Sequence, residues 1–317
     1  MRGIILIPKL FDNRTYVTDR YACLFNKIKD ELGFKISISD NSKNIDSGVE
    51  VIITFKSPQH SNPNTMMELV NLNRNVKLVG YFSDLHSYEN KIYEDNMSQM
   101  LDRCDIILCP YDEAFRKKWP QYLNKYVFFP HFFAPYERYV KFRFNERPIP
   151  KCLLSGSMNP SFIYPLRTFI REKGDLSTID VLQHPGYHRN WKRVLKSMLV
   201  DNSIYVGKRY AGLMNRYFCS IATSSIFHYV VAKYFEIPAT GTLLLANEVE
   251  DLEKLGFIPF KHYVPITKDD VLSQIDDCLA NQKKYREIRK TGMEFVRENH
   301  SINNRFKQFK KILKDVL

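Results

Sequence analysis

The chain has no Gly-x-Gly-x-x-Gly or Walker-type loop, no Cys-x-x-Cys pair and no clustered histidines. The first absence removes the usual signatures of dinucleotide and triphosphate sites, and the other two remove the usual zinc frameworks. The 6 cysteines, Cys23, Cys104, Cys109, Cys152, Cys219 and Cys278, are scattered and fall mostly in apolar, strand-like segments. They read as buried free thiols, and no metal site is expected. No apolar run approaches the roughly 18 residues a bilayer-crossing helix needs, and no charged-then-apolar leader opens the sequence. Cytosolic residence is therefore the expectation, and repeats or disorder are not.

What is present is a chain of 317 residues, 44% hydrophobic, long enough for about two packed domains. Lys and Arg total 47 against 35 Asp and Glu, a net charge of +12. Such an excess attracts anionic partners, among them sugar nucleotides, anionic membrane surfaces and nucleic acid, without choosing between them. The densest basic run is Arg305 to Lys314, where Lys307, Lys310, Lys311 and Lys314 alternate with Phe306, Phe309, Ile312 and Leu313 at helical spacing. A solvated helix face and a binding surface both fit that pattern.

The order of elements predicts an α/β protein made of two Rossmann-like domains facing across a cleft. Apolar, β-rich runs at Gly3 to Pro8, Lys35 to Ser39, Glu50 to Phe55, Val76 to Phe82, Cys104 to Cys109 and Tyr126 to Phe129 alternate with helical stretches such as Tyr21 to Leu32. A polar, proline-bearing linker follows, through Pro135, Arg143 to Arg147, Pro148 and Pro150. The second series has strands at Lys151 to Ser155, Thr178 to Leu182, Cys219 to Thr223, Thr242 to Ala246 and His262 to Pro265. Its helices are expected at Tyr164 to Lys173, Trp191 to Leu199, Lys208 to Tyr217 and Ile226 to Glu236, with three more closing the chain at Asp269 to Asn281, Lys283 to Asn299 and Ser301 to Val316. The boundaries expected are 1–145 for the first domain, 151–300 for the second and 301–317 for a terminal helix.

The block Lys233-Tyr-Phe-Glu-Ile-Pro-Ala-Thr-Gly-Thr-Leu-Leu-Leu-Ala-Asn247 is the most informative stretch. It sets a carboxylate at a helix end, a glycine turn at Thr240-Gly241 and then a buried strand. Open parallel sheets bind ligands at the carboxyl ends of their strands, where Glu236 suits the two hydroxyls of a ribose. A helix-terminal glutamate with no ligand fits the same spacing.

A phosphate-bearing ligand needs preorganised donors or cations. Ser155-Gly156-Ser157 and Ser224-Ser225 both lie between a strand and a helix, so their backbone N–H groups can meet a phosphate. Lys233, Arg167, Lys208 and Arg209 are the candidate cations, each of which also reads as a solvated surface charge. The Gln183 to His188 loop carries aromatic and histidine side chains able to contact a base or sugar. In the first domain, Asp84 and His86 follow the apolar strand ending at Phe82 and are candidate bases, while His131 ends the last strand of that domain. Asp84 reads equally as a helix N-cap and His131 as a hinge residue.

The 233–241 block, Asn247, Gly256-Phe257, Asn299-His300-Ser301 with Arg305, Leu153 to Ser157 and Tyr164 to Arg167 together resemble the nucleotide-sugar half of glycosyltransferases with the GT-B fold. The likeness is to the group-1-like branch that includes spore-maturation-type enzymes, and covers about residues 151–317. It implies a metal-independent transferase with a nucleoside-diphosphate sugar as donor and no cofactor, a glycan or lipid-linked acceptor, Glu236 on the donor ribose and a terminal helix returning to the first domain. Many retaining members carry a second glutamate eight positions before the one matching Glu236, near the donor sugar, where this chain has His228. The alternatives are a DNA glycosyltransferase acting on hydroxymethylated bases and a non-catalytic nucleotide-sugar-binding module.

Overall fold

The computed structural model describes residues 2–7, 20–38, 45, 48–55, 68–85, 91–133, 141–158, 161–183 and 207–316. The chain divides into two compact units: Arg20 and residues 131–304 form one, and the remaining described residues form the other. The expected helix at Trp191 to Leu199, the His184 to His188 segment and His86 lie outside the described residues.

The first unit is built on strands β1 (Gly3–Ile7), β2 (Lys35–Ile38), β3 (Val51–Thr54), β4 (Lys77–Tyr81), β5 (Ile106–Cys109) and β6 (Tyr126–Phe128), with helices α1 (Arg20–Leu32), α2 (Lys91–Arg103) and α3 (Asp112–Lys118) among them. All neighbours are parallel, in the order β2-β1-β3-β4-β5-β6. Strands β1 and β3 are buried along their whole length, as continuous Ile-rich and Val-rich runs covered on both faces must be. Tyr21, Phe25, Phe55, Tyr81 and Phe129 form an aromatic pile with ring centroids 4.2 to 6.4 Å apart.

The terminal helix α10 (Ile302–Val316) belongs to this unit from Arg305 onward. Phe309 sits edge-on to Phe129 at 6.2 Å, Arg305 donates to the Pro130 carbonyl at 3.0 Å and Gln308 to that of Phe128 at 2.8 Å.

The second unit carries β7 (Ile149–Gly156), α4 (Pro165–Lys173), β8 (Ile179–Gln183), α5 (Gly207–Arg216), β9 (Tyr217–Ala222), α6 (Lys233–Ala239), β10 (Leu243–Ala246), α7 (Glu250–Lys254), β11 (Val264–Pro265), α8 (Val271–Ala280) and α9 (Gln282–Asn299). Its parallel sheet runs β11-β10-β9-β7-β8, over a core that includes Leu154, Phe218, Ile221, Leu243, Leu245 and Val264. The chain leaves β7 for β8 on one side and then crosses to β9 on the other. The topological switch point, where such sheets open a crevice, therefore lies at the carboxyl ends of β7 and β9. All six cysteines are free thiols, and burial pushes Cys104 up to about 12, far from reactive thiolate.

One expected element differs. The helix anticipated over Ile226 to Glu236 begins only at Lys233, so Glu236 stands in the first turn of α6 instead of at a helix end. The preceding segment is diverted by local bonds: Ser225 Oγ accepts the Phe227 N–H at 3.2 Å, and the Ile226 N–H donates to Ile163 at 2.9 Å. His228 adopts φ 57°, which no right-handed helix accommodates. Helix α6 ends as expected, with Gly241 at φ 80° and Thr240 Oγ donating to the Ile237 carbonyl at 2.7 Å.

Gly241 has a further constraint, because a Cβ there would lie 3.1 Å from Met293 Sδ. Gly241→Ala is therefore expected to destabilise the protein by about 1 to 2 kcal/mol, mostly through the left-handed backbone. Denaturant unfolding checks this, and an unchanged midpoint would count against it.

Candidate functional site

Strand β7 delivers Ser155 and Gly156 to the switch point. Gly156 is held at φ 118°, and a Cβ there would collide with Lys233 Nζ and lie 2.8 Å from Arg167 Nη1. The backbone conformation requires glycine, and a Cβ would force both side-chain tips to shift. The missing side chain lets two cations converge on one turn of backbone.

Lys233, the first residue of α6, donates to the Ser155 carbonyl and, at 3.1 Å, to Ser155 Oγ. Tyr210 of α5 shares a hydrogen bond of 2.7 Å with the same hydroxyl. Arg167 of α4 is 3% exposed, donates to the Ser157 carbonyl at 2.6 Å and stacks over Tyr164 at 4.0 Å. Its Nε has no hydrogen-bond partner among the described residues.

Glu236 is one helical turn beyond Lys233, buried, with Oε1 3.7 Å from Arg20 Nη1. Burial pushes its carboxyl up, an effect that Arg20 and Lys233 oppose. Lys233 is pushed well down by burial first and by Arg167 second, with Glu236 opposing. Arg167 is also lowered by burial. The arrangement holds two desolvated basic side chains side by side, a receptor that a multiply charged anion would complete.

The end of β9 is tied to the end of β10 through Asn247. Its Oδ1 accepts the Ser224 N–H at 2.7 Å, its Nδ2 donates to Ser224 Oγ at 2.8 Å, and Tyr234 OH donates to its carbonyl at 3.1 Å. Ser224 and Ser225 are both buried. Exposed His228 follows on the strained loop, with its N–H donating to the Ser225 carbonyl at 3.0 Å. Non-glycine residues at positive φ cost free energy and concentrate at functional sites.

Of the residues singled out in the sequence, Gly156, Ser157, Arg167, Lys233 and Glu236 come together in one cluster. Thr240 and Gly241 close the helix that carries two of them. Lys208 is exposed and Arg209 partly buried in the first turn of α5, two residues and one residue before Tyr210. Asp84 belongs to the first unit, three residues past β4, half-buried, its carbonyl accepting from Tyr93 OH at 3.0 Å. His131 is 2% exposed. Tyr210 and Arg20 went unread in the sequence: nothing local ties either to Ser155 or Glu236, because the sheet crossover and the chain's return bring them there.

Residues 174–311 match the family model of glycosyl transferase-like proteins. No curated protein matches the chain. Among solved structures, sucrose-phosphate synthase from Thermosynechococcus elongatus aligns with a TM-score of 0.69 at 12% identity, covering 100% of this chain and 99% of that one. An α-glucosyltransferase in complex with UDP-glucose and DNA containing an abasic site aligns at 0.64 with 12% identity, covering 99% of each chain. Anabaena HepE in complex with UDP-glucose aligns at 0.61 with 9% identity, covering 99% of this chain and 100% of that one. These likenesses establish the fold as GT-B.

Proposed function

We propose that this GT-B protein, whose residues 174–311 are a glycosyl transferase-like domain of the group 1 type, moves a sugar from a nucleoside diphosphate to a hydroxyl of a glycan or lipid-linked acceptor. The observation that carries the reading is the convergence of Lys233 and Arg167 on Gly156, with Glu236 one turn away, at the switch point of the second sheet. Lys233 and Arg167 receive the diphosphate, and their charge meets the charge that develops on the leaving nucleotide. Glu236 accepts hydrogen bonds from the ribose hydroxyls. In the transfer, the bond from the anomeric carbon to the diphosphate oxygen breaks, a bond from that carbon to the acceptor oxygen forms, and the hydroxyl proton leaves to a base, for which Asp84 is the first candidate and His86 and His131 the others. Ser157, Ser224, Ser225, Lys208, Arg209, His228, Thr240 and Gly241 belong to the donor side of this reading.

A panel of nucleoside-diphosphate sugars in a thermal-shift assay tests the class, since a ligand at a hundredfold its Kd stabilises by about 2.7 kcal/mol. A matching donor raises the midpoint by several degrees; no shift with any member would contradict the reading.

We propose transfer without a metal, because two basic side chains already face the site and Glu236 is engaged by Arg20. EDTA is then expected to leave the rate unchanged, and a tenfold loss restored by Mn2+ would overturn the point.

The UDP-glucose and DNA complex of one structural neighbour, with the net charge of +12 here, favours DNA as the second reading of the acceptor. It predicts duplex binding that weakens steeply with salt. Peripheral contact with an anionic membrane is supported by Lys307, Lys310, Lys311 and Lys314, exposed along one face of α10 whose apolar residues are buried. Among the described residues, no helix is long and apolar enough to cross a membrane.

A further inference from the structure

The second unit holds a groove of about 800 Å3 at the carboxyl ends of β9, β10 and β11, walled on the other side by α4 and the residues before it. Phe162, Phe169 and Ile226 are among the apolar residues that line it. Phe162 is 56% and Ile226 45% exposed, and the Ile226 N–H bond to Ile163 holds the two sides of the rim together. Large apolar side chains left uncovered around a concavity mark a binding surface.

The polar groups of the groove narrow the ligand. Glu172, Glu248 and Lys268 line it, all exposed and all on different elements or loops. Lys268 Nζ lies 5.4 Å over the Phe169 ring, and Glu248 Oε1 accepts from Tyr263 OH at 3.4 Å. Two carboxylates against one lysine repel a phosphate polymer. Charged tips spread over the walls desolvate at a cost that an alkyl chain cannot repay. A neutral sugar satisfies both kinds of surface: its C–H face lies on an aromatic ring while its hydroxyls bond to carboxylate and ammonium.

The groove is continuous with the candidate donor side. Ser224, Ser225 and His228 line it, and Ser224 is also bound to Asn247 at the end of β10. His228, at φ 57°, stands on the loop that follows Ser225.

We propose that this groove binds a neutral glycan and is the acceptor subsite of the transfer described above. The proposal rests on the transferase reading for the word acceptor and on the groove's own chemistry for the word glycan. It places part of acceptor recognition on the second unit, beside the donor, and selects a glycan over DNA among the acceptors considered.

The test uses the full chain, with UDP present, on an array of neutral, phosphorylated and sulfated oligosaccharides, in parallel with calorimetry of UDP alone. The substitutions Phe162→Ala and Glu248→Gln alter exposed side chains and leave the core intact. The expected result is retention on a set of neutral oligosaccharides, weakened about tenfold or more by each substitution, with the Kd for UDP changed less than twofold. Retention only on anionic glycans, no retention at all, or neutral-glycan binding untouched by both substitutions would overturn the proposal. So would a loss of UDP affinity equal to the loss of glycan binding, which would assign the groove to the donor. Failure of the unsubstituted protein to bind UDP or any other nucleoside diphosphate sinks the transferase reading instead, whatever the array shows.

Discussion

Gly156→Ala is expected to lower affinity for a nucleoside-diphosphate sugar by at least about a hundredfold. The added Cβ would take the space of Lys233 Nζ and approach Arg167 Nη1 to 2.8 Å, so neither cation can keep its place. Two charge-assisted hydrogen bonds, each contributing roughly 1.5 to 3 kcal/mol, are lost together, and about 1.4 kcal/mol is a factor of ten. The backbone at φ 118° adds a stability cost of about 1 to 3 kcal/mol, since that region is nearly closed to side-chain-bearing residues. Calorimetry and denaturant unfolding separate the two effects. Removing the collision by combining Gly156→Ala with Lys233→Met recovers part of the stability and none of the affinity. Wild-type affinity in the single variant would show that the diphosphate binds elsewhere.

Glu236→Ala is the second large effect. Loss of a carboxylate that accepts ribose hydroxyls is expected to weaken UDP binding by roughly 10-fold to 100-fold, within the range for hydrogen bonds to charged groups. The discriminating comparison is with UDP lacking its ribose hydroxyls. Wild type should prefer UDP by that factor and the variant should show no preference, because the hydroxyls then have no partner. A merely structural Glu236 would weaken both ligands equally. Removing the carboxylate also takes away the group that opposes the downward pull on Lys233, so the variant's remaining affinity should fall at lower pH than in wild type.

The features legible in the sequence were those with local causes. Continuous apolar runs such as Leu243 to Ala246 became strands within a residue of the expected bounds, because two covered faces demand an unbroken run. Gly241 announced the end of α6 for an equally local reason, its positive φ. The start of that helix was misplaced because Phe227, Val230, Val231 and Tyr234 repeat at helical spacing, while the deciding bonds belong to Ser225 and Ile163. Periodicity carries no information about either. Lys233, Glu236 and Gly156 could be picked out singly, yet their meeting depends on β7 and β9 being neighbours. Tyr210 and Arg20 had no local signature at all, since their partners lie 55 and 216 positions away in the chain. The groove was invisible for the same reason: its walls come from α4 and from three strand ends.

The most direct measurement of the central claim, that Lys233 receives the donor diphosphate, is the proton count on UDP binding. Free Lys233 has its pKa well below the ordinary lysine value, chiefly through burial and then through Arg167. An anion beside it favours the charged form and raises that pKa, so between the free and bound values the complex holds more protons than the free protein. Affinity must then fall as pH rises through that window. Calorimetry at a series of pH values between the carboxylate range and the ordinary lysine value, in buffers of different ionisation enthalpy, reads the uptake directly. The account predicts net proton uptake in the wild-type protein and none in Lys233→Met; binding of UDP with no uptake, or the same uptake in both proteins, would contradict it.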